Sequence, residues 1–170
     1  DCEKFKKKAS RINIDGTNNV VNSIIYIKKK LNINILLIYI SSDAVYSSNK
    51  GNHKETDSLR PFNHYGLTKM KAEMKVCKLK KYIIIRTRFF NKNKIPYKYS
   101  ANNIFSSTIE VNRLVSYIIL LIKKKFNGII NVGGKRVSDH ENYKTYKKNL
   151  IKCYKSKIFK ELYFTIATDA

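Results

Sequence analysis

Tyr65 and Lys69 are residues whose types and spacing could do acid–base chemistry. If their segment is helical, the two side chains share one face, with Cβ atoms roughly 5–6 Å apart. A neighbouring ammonium favours the phenolate form, so we expect the pKa of this tyrosine to fall below its usual value of about 10. The spacing alone is common in this chain, since it recurs at Tyr26 with Lys30, Tyr46 with Lys50, and Tyr143 with Lys147.

A serine pair stands where a buried strand should end. Residues 33–40 form a continuous apolar run, which is typical of a strand buried on both faces of a parallel sheet. The run leads directly into Ser41 and Ser42. Functional residues of open α/β sheets gather at the carboxyl ends of strands, so Ser42 is a candidate for chemistry. A plain turn role for both serines stays open.

Helical and strand patterns alternate along the rest of the chain. Apolar spacing predicts helices over 9–31, 65–80, 111–125 and 138–154. Short apolar runs predict further strands over 82–90 and 128–134. The predicted buried stripe of the second helix is Leu67, Met70, Met74 and Cys77. Helices that alternate with buried strands indicate βα units around a parallel sheet, hence an α/β fold.

The composition sets limits on the partners of the protein. A chain of 170 residues with 43% hydrophobic residues is long enough for a domain with a real core. Its net charge of +23 would suit a nucleic-acid partner. The charge, however, is mostly lysine in scattered short runs, accompanied by abundant Asn, Ile and Tyr, which an AT-rich coding sequence explains equally well. Nucleic-acid binding therefore stays the least favoured alternative.

The cysteines and the apolar runs bear on the compartment. The three cysteines lie far apart, without a Cys-x-x-Cys pair or a histidine spacing that would build a zinc site, so reduced thiols and no metal are expected. No apolar run approaches the roughly 20 residues that span a bilayer, and the first residues are charged rather than signal-like. We expect a cytoplasmic protein without a membrane partner.

Four motifs follow one another along the chain. They read Asn13-x-x-Gly16-Thr17, Ser41-Ser42-Asp43-x-Val45-Tyr46, Pro61-x-Asn63-x-Tyr65-Gly66-x-Thr68-Lys69-x-x-x-Glu73 and Ile85-Arg86-Thr87. In this order they resemble the extended short-chain dehydrogenase/reductase superfamily, and within it the dTDP-4-dehydrorhamnose reductase-like enzymes and NAD-dependent sugar-nucleotide epimerases. The third motif is the most specific, because many positions agree at fixed spacing. The resemblance covers residues 2–90 and extends weakly to 150.

The resemblance implies a fold and an activity. The fold would be a partial Rossmann-like, doubly wound parallel sheet. Tyr65 would be the acid that protonates a 4-keto sugar, Ser42 would hydrogen-bond the carbonyl oxygen, and Lys69 would hold the nicotinamide ribose beside Tyr65. The implied cofactor is NADP or NAD, and the implied partners are a nucleotide-sugar substrate and a second copy in a homodimer.

The chain also departs from the family pattern. No Gly-x-x-Gly-x-x-Gly turn for the cofactor pyrophosphate is present, so the resemblance implies an N-terminally truncated chain without the glycine-rich βαβ unit. Residues 1–95 would be the remainder of the cofactor domain and 96–154 a substrate-side segment, with 155–170 unassigned. Two hypotheses stay open. The chain is a fragment of, or a truncated form of, an NAD(P)-dependent sugar-nucleotide reductase or epimerase, or it is a non-catalytic relative, a remnant or an interaction subunit.

Overall fold

The computed structural model describes residues 2–46 and 51–154, and it divides into two compact units. The first unit holds the described residues up to Thr87 together with Lys123–Asn131. The second holds Arg88–Ile122 and the described residues from Val132 onward. The functional division at residue 95 stays a prediction, and the unassigned segment 155–170 lies outside the described residues.

Helices occupy the predicted places in the first two thirds of the chain. The described residues form the α-helices α1 (Lys6–Ser10), α2 (Gly16–Leu31), α3 (His64–Val76), α4 (Val111–Lys123) and α5 (Asp139–Lys144). A π-helical turn, Arg11–Asp15, joins α1 to α2 without a break. A 3-10 turn, Asp43–Val45, lies between the serine pair and Tyr46.

Strands of the described residues follow the predicted α/β order. They are β1 (Leu37–Ile40), β2 (Tyr82–Arg86), β3 (Phe89–Phe90), β4 (Tyr99–Ala101), β5 (Phe105–Ser106), β6 (Ile109–Glu110), β7 (Gly128–Asn131), β8 (Val137–Ser138) and β9 (Ile151–Cys153). In the first unit β1, β2 and β7 form a three-stranded parallel sheet in that order. The α/β fold with a parallel sheet is therefore confirmed.

The central strand β2 forms the core of the first unit. Ile83, Ile84 and Ile85 are fully buried, as expected for a strand with neighbours on both sides and helices against its face. Ile84 packs in one cluster with residues of α2 and the end of α3, namely Val21, Ile24, Val76 and Leu79. The sheet is thus held by apolar contacts at its centre, while its carboxyl end carries the polar side chains.

Helix α3 does not bury the stripe that its apolar residues predict. Met74 is 64% exposed and Cys77 is exposed, so the predicted stripe is wrong. The buried face consists of small and polar residues: Gly66, Thr68, Ala72, Glu73 and Val76. Two physical reasons explain this buried face: Gly66 allows the helix to approach neighbouring backbone, and Glu73 forms an ion pair. A Cβ on Gly66 would lie 2.1 Å from the carbonyl oxygen of Ala44, and Glu73 is neutralised by a buried arginine.

The second unit holds short strand pairs around two helices. Strands β3 and β6, β4 and β9, and β5 and β8 pair within it. Helix α5 begins with a capping box between Ser138 and Glu141 and ends at Lys144, so the predicted helix over 138–154 is wrong beyond that residue. The chain instead turns and enters β9, whose pairing with β4 satisfies backbone groups that a longer helix would have used internally.

Candidate functional site

Ser42 lies two residues after Ile40, the last residue of β1, at the carboxyl end of the parallel sheet. It caps the 3-10 turn, because its hydroxyl accepts a 3.1 Å hydrogen bond from the backbone N–H of Ala44. The same hydroxyl donates to the carboxylate of Asp43 at 3.1 Å. The cap fixes the rotamer of Ser42 and buries the side chain. The geometry gives Ser42 the role of a turn residue, and its part in chemistry stays a prediction.

Tyr65 lies in the first turn of α3, which is fixed against the residues that follow Ser42. The side chain of Asn63 accepts a 2.7 Å hydrogen bond from the N–H of Gly66 and so caps the helix. The missing side chain of Gly66 lets this turn approach the Ala44 carbonyl. The turn that carries Tyr65 is thereby placed against the 3-10 turn that Ser42 caps. Tyr65 remains 38% exposed.

Lys69 lies one helical turn after Tyr65 and points at the end of β1. Its Nζ donates a 2.6 Å hydrogen bond to the backbone carbonyl of Ile40 and lies 4.3 Å from the centroid of the Tyr39 ring. Ile40 is the last residue of β1 and precedes the serine pair. The three residues singled out from the sequence, Ser42, Tyr65 and Lys69, thus surround one strand end.

Burial is the main influence on the charged states of these side chains. It lowers the pKa of Lys69 to about 8, although the carboxylate of Glu73 acts in the opposite direction. Burial also raises the pKa of Tyr65, opposed by the hydrogen bond with Ser42. The expected lowering of the tyrosine pKa is therefore wrong for this structure. Desolvation outweighs the effect of a neighbouring cation, and the Lys69 ammonium is directed to the Ile40 carbonyl.

Sequence reasoning did not assign a role to Tyr39. The ring of Tyr39, a residue of β1, lies beside the Lys69 ammonium. Burial raises the pKa of the Tyr39 phenol to about 12, and a hydrogen bond with Thr17 acts in the opposite direction. The sequence did not mark Tyr39 as a candidate site residue, because an aromatic residue in a buried strand is expected to pack in the core in any case. The aromatic face supplies a negative surface for the ammonium, which helps to hold Lys69 in place.

The π-helical turn contributes a second contact that the sequence patterns did not predict. Asn13 lies in that turn and donates a 2.9 Å hydrogen bond from Nδ2 to the hydroxyl of Thr68. Thr68 in turn donates to the backbone carbonyl of Tyr65 at 2.7 Å. The turn therefore braces α3 beside its tyrosine. Both residues stand in the recognised motifs, but no periodicity connects residues 55 positions apart.

A buried ion pair ties together the elements that carry the site. Arg86 of β2 contacts the carboxylate of Glu73 of α3 through both Nε and Nη2, the latter at 2.8 Å. Ser41 donates to the same carboxylate, and Tyr46 accepts a 2.7 Å hydrogen bond from Arg86. Because β1, β2, α3 and the turn after β1 all take part, the network fixes the strand end against the helix.

The segment after the 3-10 turn is held to the same sheet edge. The ring of His53 stacks on Tyr46 with centroids 4.5 Å apart. Asn131, the last residue of β7, accepts from the Tyr46 hydroxyl at 2.9 Å and donates to the backbone carbonyl of His53. These contacts join the chain around His53 to the turn after β1 and to the end of β7.

The described residues contain neither a metal-binding cluster nor a membrane-spanning helix. Among residues 2–46 and 51–154, no group of three His, Cys, Asp or Glu side chains could hold a metal ion. The described helices include none that is long and apolar enough to cross a bilayer.

Gly133 and Gly134 allow close backbone packing, since a Cβ on them would lie 2.7 Å and 2.6 Å from the carbonyl oxygens of Ser107 and Thr108.

A small cavity lies within the second unit. Its polar side is formed by the ion pair of Arg88 and Asp139, 3.1 Å apart, and its aromatic side includes Tyr97 and Tyr143. Burial raises the pKa of Tyr143 to about 12, so its hydroxyl stays protonated and can donate.

Comparison with known proteins identifies the family. A family model for the RmlD substrate binding domain matches residues 1–105. A hypothetical dTDP-4-dehydrorhamnose reductase from Sulfolobus tokodaii superposes with a TM-score of 0.76 at 27% identity, over 99% of this chain and 63% of that one. The Bacillus anthracis dTDP-4-dehydrorhamnose reductase in complex with NADP superposes with a TM-score of 0.75 at 22% identity, over 92% and 62%.

A further relative carries a different name. Methionine adenosyltransferase 2 subunit beta from Bos taurus is 35% identical over 74 residues, which are 44% of this chain and 20% of the relative. The chain therefore spans less than two thirds of the length of each of these three proteins. The family model nevertheless covers more than half of the chain and includes Ser42, Tyr65 and Lys69. The chain belongs to the family of the RmlD substrate binding domain.

Proposed function

We propose that this chain carries the catalytic face of an NAD(P)-dependent sugar-nucleotide reductase of the dTDP-4-dehydrorhamnose reductase type. The observation that supports this most is the placement of Lys69 at the end of β1, where its Nζ donates to the Ile40 carbonyl at 2.6 Å, with Tyr65 one turn earlier on α3 and Ser42 two residues after that strand end. Family membership supports the reaction class. The carbonyl of a 4-keto sugar is the substrate group that this arrangement suits.

The roles of the three side chains follow from their chemistry. Tyr65 donates its proton to the carbonyl oxygen as that oxygen gains electron density, and the raised pKa of Tyr65 keeps the proton in place at neutral pH. Ser42 would turn its single O–H donor from the Asp43 carboxylate to the same oxygen and so position it. Lys69, with a pKa of about 8, is largely charged at pH 7, so its field stabilises the negative charge that develops.

The side chains fit the nicotinamide end of a bound NADP or NAD. The Lys69 ammonium has three N–H donors. One of them donates to the Ile40 carbonyl, which leaves two for the ribose hydroxyls of the cofactor. Tyr65 is exposed enough to reach a ligand on its outer side. When bound, this cofactor would supply the hydride. The Bacillus anthracis relative was solved in complex with NADP, which favours the same cofactor class here.

The decisive experiment measures binding and turnover separately. NADPH binding is followed by its fluorescence, and turnover by the loss of NADPH absorbance with dTDP-4-dehydrorhamnose. We expect Tyr65→Phe to reduce turnover by at least about 100-fold while leaving NADPH affinity largely unchanged. Tyr26→Phe is the matched control, because Tyr26 also precedes a lysine by four residues but is 62% exposed on α2. Turnover that survives Tyr65→Phe would refute the assignment.

A second candidate function is that of an interaction subunit. The relative named methionine adenosyltransferase 2 subunit beta supports it, since that name describes a subunit and its similarity includes 44% of this chain. In this case the chain would bind a methionine adenosyltransferase without reducing a sugar. Co-elution of the two proteins in gel filtration, together with no NADPH consumption, would favour this function over the reductase.

The remaining expectations on partners follow the reductase proposal. A nucleotide sugar would be the substrate of the proposed reductase. A homodimer and a cytoplasmic location are part of the same proposal. Sedimentation of the purified chain measures the first, and fractionation of cells that express the full coding sequence measures the second.

A further inference from the structure

The three chain segments that enter the parallel sheet each carry three lysines. These are Lys28–Lys30 before β1, Lys78, Lys80 and Lys81 before β2, and Lys123–Lys125 before β7. Because the three strands are parallel, their amino ends lie at one edge of the sheet. The adjacency is direct: the N–H of Leu37 donates to the carbonyl of Lys81 at 3.3 Å, and the N–H of Tyr82 to the side chain of Asn127 at 2.8 Å. These nine lysines are called the lysine edge below.

The positive charge of the lysine edge is not compensated locally. Eight of the nine side chains are exposed, and Lys28 is half-buried. The sequence holds no Asp or Glu over 16–42, 74–109 or 111–138, which are the stretches that contain all nine. Within the part of the chain that the structure describes, none of them forms a salt bridge. A surface of one sign without acidic neighbours attracts a polyanion over a Debye length of about 8 Å at physiological salt.

Aliphatic side chains are exposed beside these lysines. Leu31, the last residue of α2, is 65% exposed, and Ile33 and Leu36, in the link from α2 to β1, are 51% and 37% exposed. Exposed aliphatic residues next to lysines suit an anionic bilayer, where the charges meet headgroups and the apolar groups enter the acyl boundary. Nucleic-acid surfaces instead favour arginine and stacking aromatic residues, and the segments 28–36, 78–81 and 123–127 contain no arginine and only Phe126 as an aromatic residue.

We propose that the lysine edge docks the protein onto a bilayer that contains anionic lipids, with Leu31, Ile33 and Leu36 entering the headgroup region. Ser42 follows the carboxyl end of β1, so it lies at the opposite edge of the same sheet. Docking therefore leaves Tyr65 and Lys69 open toward the aqueous side. The inference is independent of the reductase proposal, because it uses neither the cofactor nor the three site residues.

The test is co-sedimentation of the purified chain with phospholipid vesicles. We expect binding to vesicles of equal parts phosphatidylcholine and phosphatidylserine, weakening as salt is raised, and little binding to phosphatidylcholine alone. Each lysine near an anionic surface strengthens binding to that surface about fivefold, so K80Q/K81Q/K124Q/K125Q should weaken binding on the order of 600-fold. The control K92Q/K94Q/K148Q/K152Q removes the same charge from exposed lysines of the second unit and should weaken binding less than tenfold.

Several outcomes would overturn the proposal. Equal losses in the two quadruple variants would mean that net charge, not the lysine edge, drives binding. Equal binding to both vesicle types would exclude recognition of anionic lipid. Tighter binding to a single-stranded oligodeoxynucleotide through the same four lysines would assign the surface to nucleic acid. If the edge variant does not fold by circular dichroism, Ile33→Asn with Leu36→Asn replaces it, and loss of the salt-resistant part of binding is then the expected result.

Discussion

The ammonium of Lys69 is bonded to the backbone carbonyl of Ile40 at 2.6 Å. This hydrogen bond joins the helix that carries Tyr65 to the strand that leads to Ser42. It also holds the ammonium over the Tyr39 ring, in a partly buried position where its charge is costly. The catalytic arrangement that we propose therefore depends on a lysine that is both a structural link and a weakened base.

The titration of Lys69 gives the first prediction. In carbon-13 lysine-labelled protein we expect one Cε resonance to titrate near pH 8, and this resonance should be absent from Lys69→Met. Because the pKa is lowered in the folded state from 10.5, the contribution of Lys69 to the free energy of unfolding should rise with pH between about 8 and 10.5. The stability of wild type relative to Lys69→Met should increase over the same window. A lysine resonance that titrates only above pH 10 would contradict the structure.

The close approach of α3 gives a pair of glycine variants. Gly66→Ala places a Cβ 2.1 Å from the Ala44 carbonyl, so the helix must shift, at a cost of about 1–3 kcal/mol. Gly16→Ala is the matched control, because nothing lies within 4 Å of its added Cβ and its backbone is helical. The control should gain up to about 1 kcal/mol. Urea unfolding of both variants measures the difference, and equal effects would disprove the close contact.

The buried ion pair gives the third prediction. Glu73→Gln leaves the Arg86 guanidinium buried without its counter-charge, so the free energy of unfolding should fall by about 3–5 kcal/mol. Asp15→Asn removes a carboxylate that is exposed on the π-helical turn, and its effect should stay within about 0.5 kcal/mol. Thermal unfolding followed by circular dichroism compares them. A loss as small as that of the control would show that the pair contributes little.

The hydrogen bond between Asn13 and Thr68 gives the fourth prediction. Asn13→Ala removes the 2.9 Å hydrogen bond to Thr68, and a loss of about 1 kcal/mol is expected. Asn19→Ala serves as the control, because that side chain is exposed on α2. If Asn13 braces the tyrosine helix, amide hydrogen exchange in the first turn of α3 should accelerate in Asn13→Ala alone. Unchanged exchange there would leave Asn13 as a purely local contact.

The sequence patterns predicted the strand that precedes Ser41 and Ser42, the helix that carries Tyr65, and the parallel sheet. They succeeded because strand runs and helix spacing are local properties. They failed on α3, where the buried face holds Thr68 and Glu73 while Met74 points to solvent. A polar residue becomes a core residue only through its partner, and Arg86 is a partner that no periodicity specifies. The direction of the Tyr65 pKa was missed for a similar reason, since burial depends on the assembled fold.

The π-helical turn at Arg11–Asp15 has a consequence for how α1 and α2 tolerate change in length. Such a turn holds one residue more than the regular helix, so it shifts the phase of everything before it by about 100°. Ala9 on α1 and Val21 on α2, one on each side of this turn, are both buried. Deleting a single residue of the turn would restore an unbroken α-helix while rotating Ala9 away from its packing. The regular helix would therefore be the less well-packed form.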